Sequence, residues 1–488
     1  MIRPIFHFFF GLLLLAPVTA SAMDNGTTPL TVRDAVEQAL ANNLNLMLQK
    51  ENVKAAAGAV GIAGSRFDKF ITGEADVARS ERTPIFPGSA EVEEDANLDI
   101  SLIKRFTTGT EVQLGWNNNR FDTDLDEQTL SPMFSSGLSL GLTQPLLRGW
   151  GQEIQLAPVQ AAERDLEAET FQVNSLAADL AAQVKSGYWT LVFARQDIEV
   201  KQFSLTLAEK LLEETKAKIA AGKLAPVELF QPQSEVALRE EQLIAAERAI
   251  GVADDELKLL LNSDDWYSSY TPVDTPNTEP VSLTAEIILD NALNNRPDIK
   301  AAQIDVDAAR LREKVAQDDL RPELDLVGSL GYGGTDDSYG SAVDNSFDDG
   351  DAQWLVGLNL TFPLDNSAAE GAMQQARAFH SQARTSLELL KLQVIREVRT
   401  TVRDVRLAIK AIEATRKTSL ATRKRLEAEQ AKFDAGRSTT LDVLIAQEAY
   451  SNALSQENQT HVIYAQALAE LDRIQGLISF DHEEGRTN

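Results

Sequence analysis

Cysteine is absent from the 488 residues, which excludes disulfides, Cys-ligated zinc or iron–sulfur centres, thiol catalysis and a lipid-modified N-terminal Cys. Histidine is scarce: of four, His7 lies in the extreme N-terminal segment, and His380, His461 and His482 are too scattered for ligand spacing. Phosphate-binding motifs are missing too. The string Gly331-Tyr332-Gly333-Gly334 sits in a strand pattern with no helix behind it, so nucleotide binding is not expected. The sequence therefore offers no enzyme chemistry, cofactor or metal site. Long apolar runs are also lacking beyond the N-terminus, so a bilayer would have to be crossed by a closed β-barrel. Basic residues are outnumbered, 46 Lys and Arg against 74 Asp and Glu for a net charge of −28, a balance that repels nucleic acid.

What is present begins with residues 1–22. One Arg precedes an apolar stretch from Ile5 to Val18, followed by Ala20-Ser21-Ala22, the pattern of a secretory signal peptide with a small-residue cleavage site. At about 14 residues, with Pro17 inside, the stretch is short of the roughly 20 that a spanning helix needs. Cleavage is expected to leave Met23 first and to make the charge one unit more negative by removing Arg3.

Comparing the chain with itself uncovers a duplication. Val173, Leu176, Leu180, Val184, Tyr188 and Leu191 form the apolar stripe of one helix face. Leu387, Leu390, Val394, Val398, Val402 and Val405 repeat it, each 214 positions later. The same offset carries Ile198 onto Ile412, Gly222 onto Gly436, Glu228 onto Asp442 and Gln233 onto Gln447. Upstream, Gln144-Pro145-Leu146 answers Phe362-Pro363-Leu364 at 218, and Ala39-Leu40-Ala41-Asn42-Asn43 answers Ala292-Leu293-Asn294-Asn295 at about 253. The first half therefore holds roughly 35 extra residues before its Gln-Pro. They fall where Leu98–Phe106 and Thr110–Trp116 alternate around Thr107-Thr108-Gly109, like an added hairpin.

Each half reads as helix, β-hairpin, very long helix, tight turn and medium helix. From about Gln152 to Ala220 and from Ser367 to Ala435, breakers occur only near the start, at Pro158 and Gly371. At 1.5 Å per residue such helices reach about 100 Å, more than a globular core encloses. The shorter helices, about Thr31–Gly64 with Pro226–Asn262 and Ser282–Asp319 with Thr439–Gly476, match one long helix when stacked end to end. A coiled-coil cylinder of alternating continuous and stacked helices is the economical packing.

Phe70–Ser80, Gly137–Thr143, Glu323–Gly333 and Gln353–Phe362 alternate apolar with small or polar residues, as barrel strands do. Trp116, Trp150, Tyr332, Trp354 and Phe362 fall near strand ends, where an aromatic belt or ordinary core packing would place them. Four strands, or six with the added hairpin, are too few to close a pore in one chain, so oligomerisation must supply the rest. The loops Thr83–Ala96, Asn117–Ser136 and Thr335–Asp351 are expected as exposed or disordered turns. An elongated coiled-coil scaffold without a lumen is the competing reading, and the alternating strands count against it.

The ordered motifs resemble the TolC-type outer-membrane efflux protein family. They comprise Ala-Leu-x-Asn-Asn in each half, Asn295-Arg296-Pro297-Asp298, Gln144-Pro145-Leu146-Leu147-Arg148-Gly149, and the turns Gly222–Glu228 and Gly436–Asp442. The match runs over about Leu30 to Ile478. The resemblance implies a mixed α+β membrane protein, internally duplicated, in which a homotrimeric outer-membrane β-barrel continues into a long periplasmic α-helical coiled-coil barrel. The implied organisation is a first repeat over 23–262, an equatorial linker at 263–281, a second repeat over 282–480 and a polar tail at 481–488. Function by resemblance is a passive, gated exit duct of a tripartite efflux or type I secretion system. Its partners would be a periplasmic adaptor, an inner-membrane transporter and outer-membrane lipid, with no nucleic acid. Drugs, metals, small molecules and proteins are all carried within the family, and these residues do not separate them.

Gly222, Lys223, Leu224 and Ala225, with Gly436, Arg437, Ser438 and Thr439, are by resemblance the adaptor-contact turns at the periplasmic tip. A Gly permits the left-handed backbone that reverses a helix, so plain capping explains the residue type equally well. Aspartates near the second tip constrict the closed pore in the family. Asp442 matches that position and Glu228 is its counterpart, but Ile445 stands where a second acid would be expected. Like charges around a threefold axis would attract cations and raise one another's proton affinity. Solvated acids capping the returning helices are the simpler alternative.

Overall fold

The computed structural model describes residues 27–83, 86, 90–124 and 131–478. The expected signal peptide and polar tail lie outside the described residues. The element order repeats. In the first half β1 (Thr27–Leu30), α1 (Val32–Asn42) and α2 (Leu44–Gly64) precede the strands β2 (Lys69–Glu81), β3 (Val92–Arg105), β4 (Glu111–Thr123) and β5 (Met133–Pro145). The long helix α3 (Gln152–Ala220) and α4 (Phe230–Leu261) follow, and then the short strand β6 (Ser269–Pro272). The second half holds α5 (Ala285–Asn295), α6 (Pro297–Asp318), β7 (Glu323–Asp336), α7 (Tyr339–Asp348), β8 (Asp351–Thr361), α8 (Ser367–Asp434) and α9 (Thr440–Ile474).

The long helices α3 and α8 run for 69 and 68 residues, about 100 Å each. Both predicted stripes are core. Val184, Tyr188 and Leu191 are fully buried with α1 and the end of α4, while Val394, Val398, Val402 and Val405 are buried with α5 and α9. α3 packs against α2 and α4 on one flank and against α6 and α9 on the other, and α8 lies beyond α6 and α9. Continuous and stacked helices thus alternate across a curved wall.

Two expected helices, Thr31–Gly64 and Ser282–Asp319, are each broken in two. Thr31–Gly64 divides at Asn43, whose backbone turns extended and whose side chain accepts hydrogen bonds from the Asn45 and Leu46 amides. Its Nδ2 donates to the Leu260 carbonyl at 2.9 Å, so the Asn-Asn motif fixes where the stacked helices meet. In the second half Arg296 takes this place, pairing with Asp298 and Glu397 at 2.7 Å each, and Pro297 starts α6 where its missing N–H costs nothing.

The linker is not plain coil: β6 pairs parallel with β1. Tyr188, buried on α3, clamps this layer. Its hydroxyl lies 2.8 Å from an Asp274 carboxylate oxygen and 3.0 Å from the Leu30 carbonyl, and it receives the Val273 and Asp274 amides. Burial pushes the phenol's pKa well above its ordinary value. Tyr188→Phe keeps the ring but leaves these groups short of a partner, an expected cost of about 1–3 kcal/mol. Thermal unfolding in detergent checks this, and an unchanged midpoint would contradict the clamp.

The strands form one antiparallel sheet in the order β2-β3-β4-β5-β7-β8. The added hairpin β3–β4 lies inside that sheet, between β2 and β5, and all its strands outrun their expected spans. Register lines up one face: Ile71, Leu102, Leu114 and Leu140 follow one another across the sheet, continued by Leu330 and Trp354. The opposite face carries Ser101, Gly115, Ser139 and Gly331 in the same fashion. Trp116, expected near a strand end, falls mid-strand because β4 runs on to Thr123; Tyr332 stands toward the loop end of the apolar face, and the exposed Trp150 and Phe362 near its helical end.

The segment Thr335–Asp351, expected as a loop, contains α7. Its buried Ala342 and Ser346 lie on the apolar side of the sheet, with the Ser346 hydroxyl accepting from the Gly334 amide at 3.2 Å. Tyr339 packs edge-on to Phe134 and reaches Asn118 at 3.2 Å. A Cβ on Gly334 would come within 2.6 Å of Asn345, so glycine there is what lets the helix approach. Among the described residues no helix is long and apolar enough to cross a membrane.

Candidate functional site at the helical tip

Both tip turns use one device. α3 and α8 end in glycines with φ of +71° and +68°, at Gly222 and Gly436. The Gly222 amide donates to the Ile219 carbonyl and Lys223 to Lys218; Gly436 donates to Phe433 and Arg437 to Lys432. These are the paired closing bonds of a left-handed helix stop. Nothing lies near the absent Cβ of either glycine, so the positive φ, rather than crowding, selects the residue.

The returning helices start differently. After Ala225, Pro226 opens a one-turn 3-10 helix over Pro226–Leu229 that leads into α4 and carries exposed Glu228. After Arg437 and Ser438, Thr439 caps α9 through a capping box: its hydroxyl accepts from the Asp442 amide at 3.2 Å, and the Asp442 carboxylate accepts the Thr439 amide at 3.1 Å. The Thr439 hydroxyl also meets that carboxylate at 2.6 Å. Hydrogen bonds from the Thr439 side chain and amide, helped by Ser438 and Lys432, hold the Asp442 carboxyl below the usual carboxylate range. It is therefore ionised at neutral pH, and the cap's contribution is lost only as the pH falls through that lowered value.

The eight turn residues thus sit at one end of the wall. Gly222, Lys223, Ala225, Gly436, Arg437 and Thr439 are exposed, whereas Leu224 and Ser438 are half-buried. Asp442 and Glu228 belong to separate hairpins within the chain. Ile445 is exposed one turn beyond Asp442.

A second feature of the tip escaped sequence reading. Phe433, buried at the end of α8, packs with Leu211, Val443 and Leu444. The Lys218 ammonium lies 3.2 Å from its ring centroid and donates to its carbonyl at 2.8 Å. Gln430 adds a 3.0 Å hydrogen bond to Glu214. These contacts fasten the α3–α4 hairpin to the α8–α9 hairpin. A hint existed in the sequence, since Phe433 is the one aromatic side chain of α8 after Phe379.

The duplicated halves, the long alternating helices, and the strands and tip turns at opposite ends of the wall agree with the comparisons. Residues 288–477 match the family described as outer membrane efflux protein. The match covers the second half of the chain, from α5 to the end of α9, and the chain is similar to that family. The outer membrane protein TolC of Vibrio cholerae is 23% identical over 399 residues, which make up 80% of this chain and 87% of that one. Among solved structures, the Campylobacter jejuni CmeC outer membrane channel superposes with a TM-score of 0.71 at 17% identity, covering 94% of this chain and 87% of that one. The outer membrane protein VceC of Vibrio cholerae gives 0.68 at 18% identity, covering 91% and 96%. These relatives are outer membrane proteins, and the chain shares their fold over about nine-tenths of its length.

Proposed function

We propose that three copies of this chain close into a passive, gated duct in the outer membrane, fed by a periplasmic adaptor and an inner-membrane transporter. The observation that carries this reading is the pair of open flanks. Among the described residues, β2 is an unpaired sheet edge on one flank, where α2 and α4 pack chiefly on α3. Leu48, Ile62, Ile244 and Leu259 are exposed on those two helices. On the other flank β8 is the free edge, and α8 leaves Leu389, Leu392, Leu407 and Leu420 exposed. An open strand edge invites pairing, and a heterologous contact between unlike flanks closes into a ring. Trimer number follows from the family resemblance. The apolar outer face of the sheet faces lipid in this reading, which a water-exposed scaffold would not tolerate. Mass measurement in detergent tests it: a trimer is expected, and a stable monomer would contradict ring closure.

The tip turns, Gly222–Ala225 and Gly436–Thr439, are the proposed adaptor contacts. Three Asp442 carboxylates, with the three Glu228 side chains, would surround the mouth. Held ionised by the cap, Asp442 would attract cations there without any raised proton affinity inside its own protomer. Asp442→Asn is expected to weaken block of single-channel current by multivalent cations severalfold. An unchanged block would remove Asp442 from the gate.

A further inference from the structure

The hairpin β3–β4 gives the duct its outlet width. By their offsets β2 answers β7 and β5 answers β8, so the duplication accounts for two strands per half. The hairpin adds two more between β2 and β5. We infer that the closed barrel has eighteen strands, and that this hairpin sets the size limit at the outer membrane; the inference rests on the trimeric duct proposed above.

Three observations support it. First, the hairpin is paired on both sides without a gap: all thirteen residues of β2 have partners on β3, and β4 pairs with β5 from Glu111 to Phe121. Second, Ile100, Leu102 and Leu114 continue the apolar lipid-side rows of β5 and β7, and a hairpin folded away from the wall would put them in water. Third, its turn is anchored at the base. The Gly151 amide donates to the Thr108 carbonyl at 3.3 Å, and Gly109, at φ +92°, passes so close that a Cβ would lie 2.8 Å from the Gly149 carbonyl. Strand directions alternate through all six, so β8 meets the next copy's β2 antiparallel, as closure requires.

Strands about 4.8 Å apart and tilted by about 40° give a wall about 36 Å across for eighteen and about 24 Å for twelve. Twelve helices, four per copy at about 10 Å spacing, make a tube of about 38 Å. The wider barrel thus continues the bore of the helical wall without a step. On the lumen side small groups, Gly115, Ser139 and Gly331, form the middle row with polar Asp99 and Asn117 toward the loop end, and α7 lies on the lipid side, so it does not plug the mouth. Such an outlet suits large hydrated cargo, a polymer chain rather than a single small molecule, and leaves selection to the tip.

Electron cryomicroscopy of the full chain in lipid nanodiscs tests this by counting strands. Eighteen are expected, together with entry from the barrel side of polyethylene glycols about 10 Å in radius, read as reduced conductance. A trimer with a twelve-strand wall and the hairpin outside it would overturn the inference while leaving the duct. A chain that stays monomeric would overturn the duct itself, and the inference with it.

Discussion

Asp472→Ala should lower stability by about 3–5 kcal/mol, the range for removing one partner of a buried ion pair. Lys185 on α3 and Asp472 on α9 lie 3.3 Å apart, with their side chains 2% and 5% exposed. α3 belongs to the first repeat and α9 to the second, so the pair stitches the duplicated halves together midway along the wall. Removing the carboxylate leaves an ammonium in a place water hardly reaches, and the expected consequence is a large drop in the unfolding midpoint. Replacing both, as Lys185→Met with Asp472→Leu, should recover most of the loss, because two apolar side chains need no compensation. A double variant as unstable as the single one would show that the cost lies in packing, not charge. The effect should persist at high salt, since buried pairs are screened little.

Phe433→Ala is expected to loosen the tip rather than unfold the protein. The lost ring is 2% exposed, a truncation that costs about 3–5 kcal/mol, and Lys218 loses a cation–π contact worth up to about 2 kcal/mol when desolvated. Both losses fall where the α3–α4 hairpin meets the α8–α9 hairpin. Should the resting tip be narrowed by this fastening, the variant will pass severalfold more current in planar bilayers while its unfolding midpoint falls modestly. Lys218→Met removes the charge alone and should give a smaller rise. Unchanged conductance in both variants would place the gate elsewhere, Asp442 being the remaining candidate.

The parts legible in sequence were those repeated over long spans. The 214-residue offset located both buried stripes, because a helix face that must be apolar over many turns leaves a period that survives divergence. Gly222 and Gly436 were legible because positive φ selects glycine. Short and relational features were not. β1 and β6 have four residues each, too few for a pattern, and their pairing joins positions more than 240 apart. α7 hides in an Asp- and Gly-rich stretch because its anchoring face is Ala342 and Ser346, small residues that meet a glycine strand rather than an apolar core. The hairpin's alternation was visible, but period two says nothing about which strand lies beside it. Asp442 reads equally as a cap or a gate in sequence. The structure supplies the capping bonds, and the gate role remains a matter for the current-block experiment.

The duct itself is tested most directly by single-channel conductance of the purified mature chain in planar lipid bilayers. The account predicts a cation-selective pore, with acidic side chains at the mouth, from a preparation whose mass is that of a trimer. A preparation that never inserts, or inserts without any current even when Phe433→Ala and Asp442→Asn are combined, would contradict it.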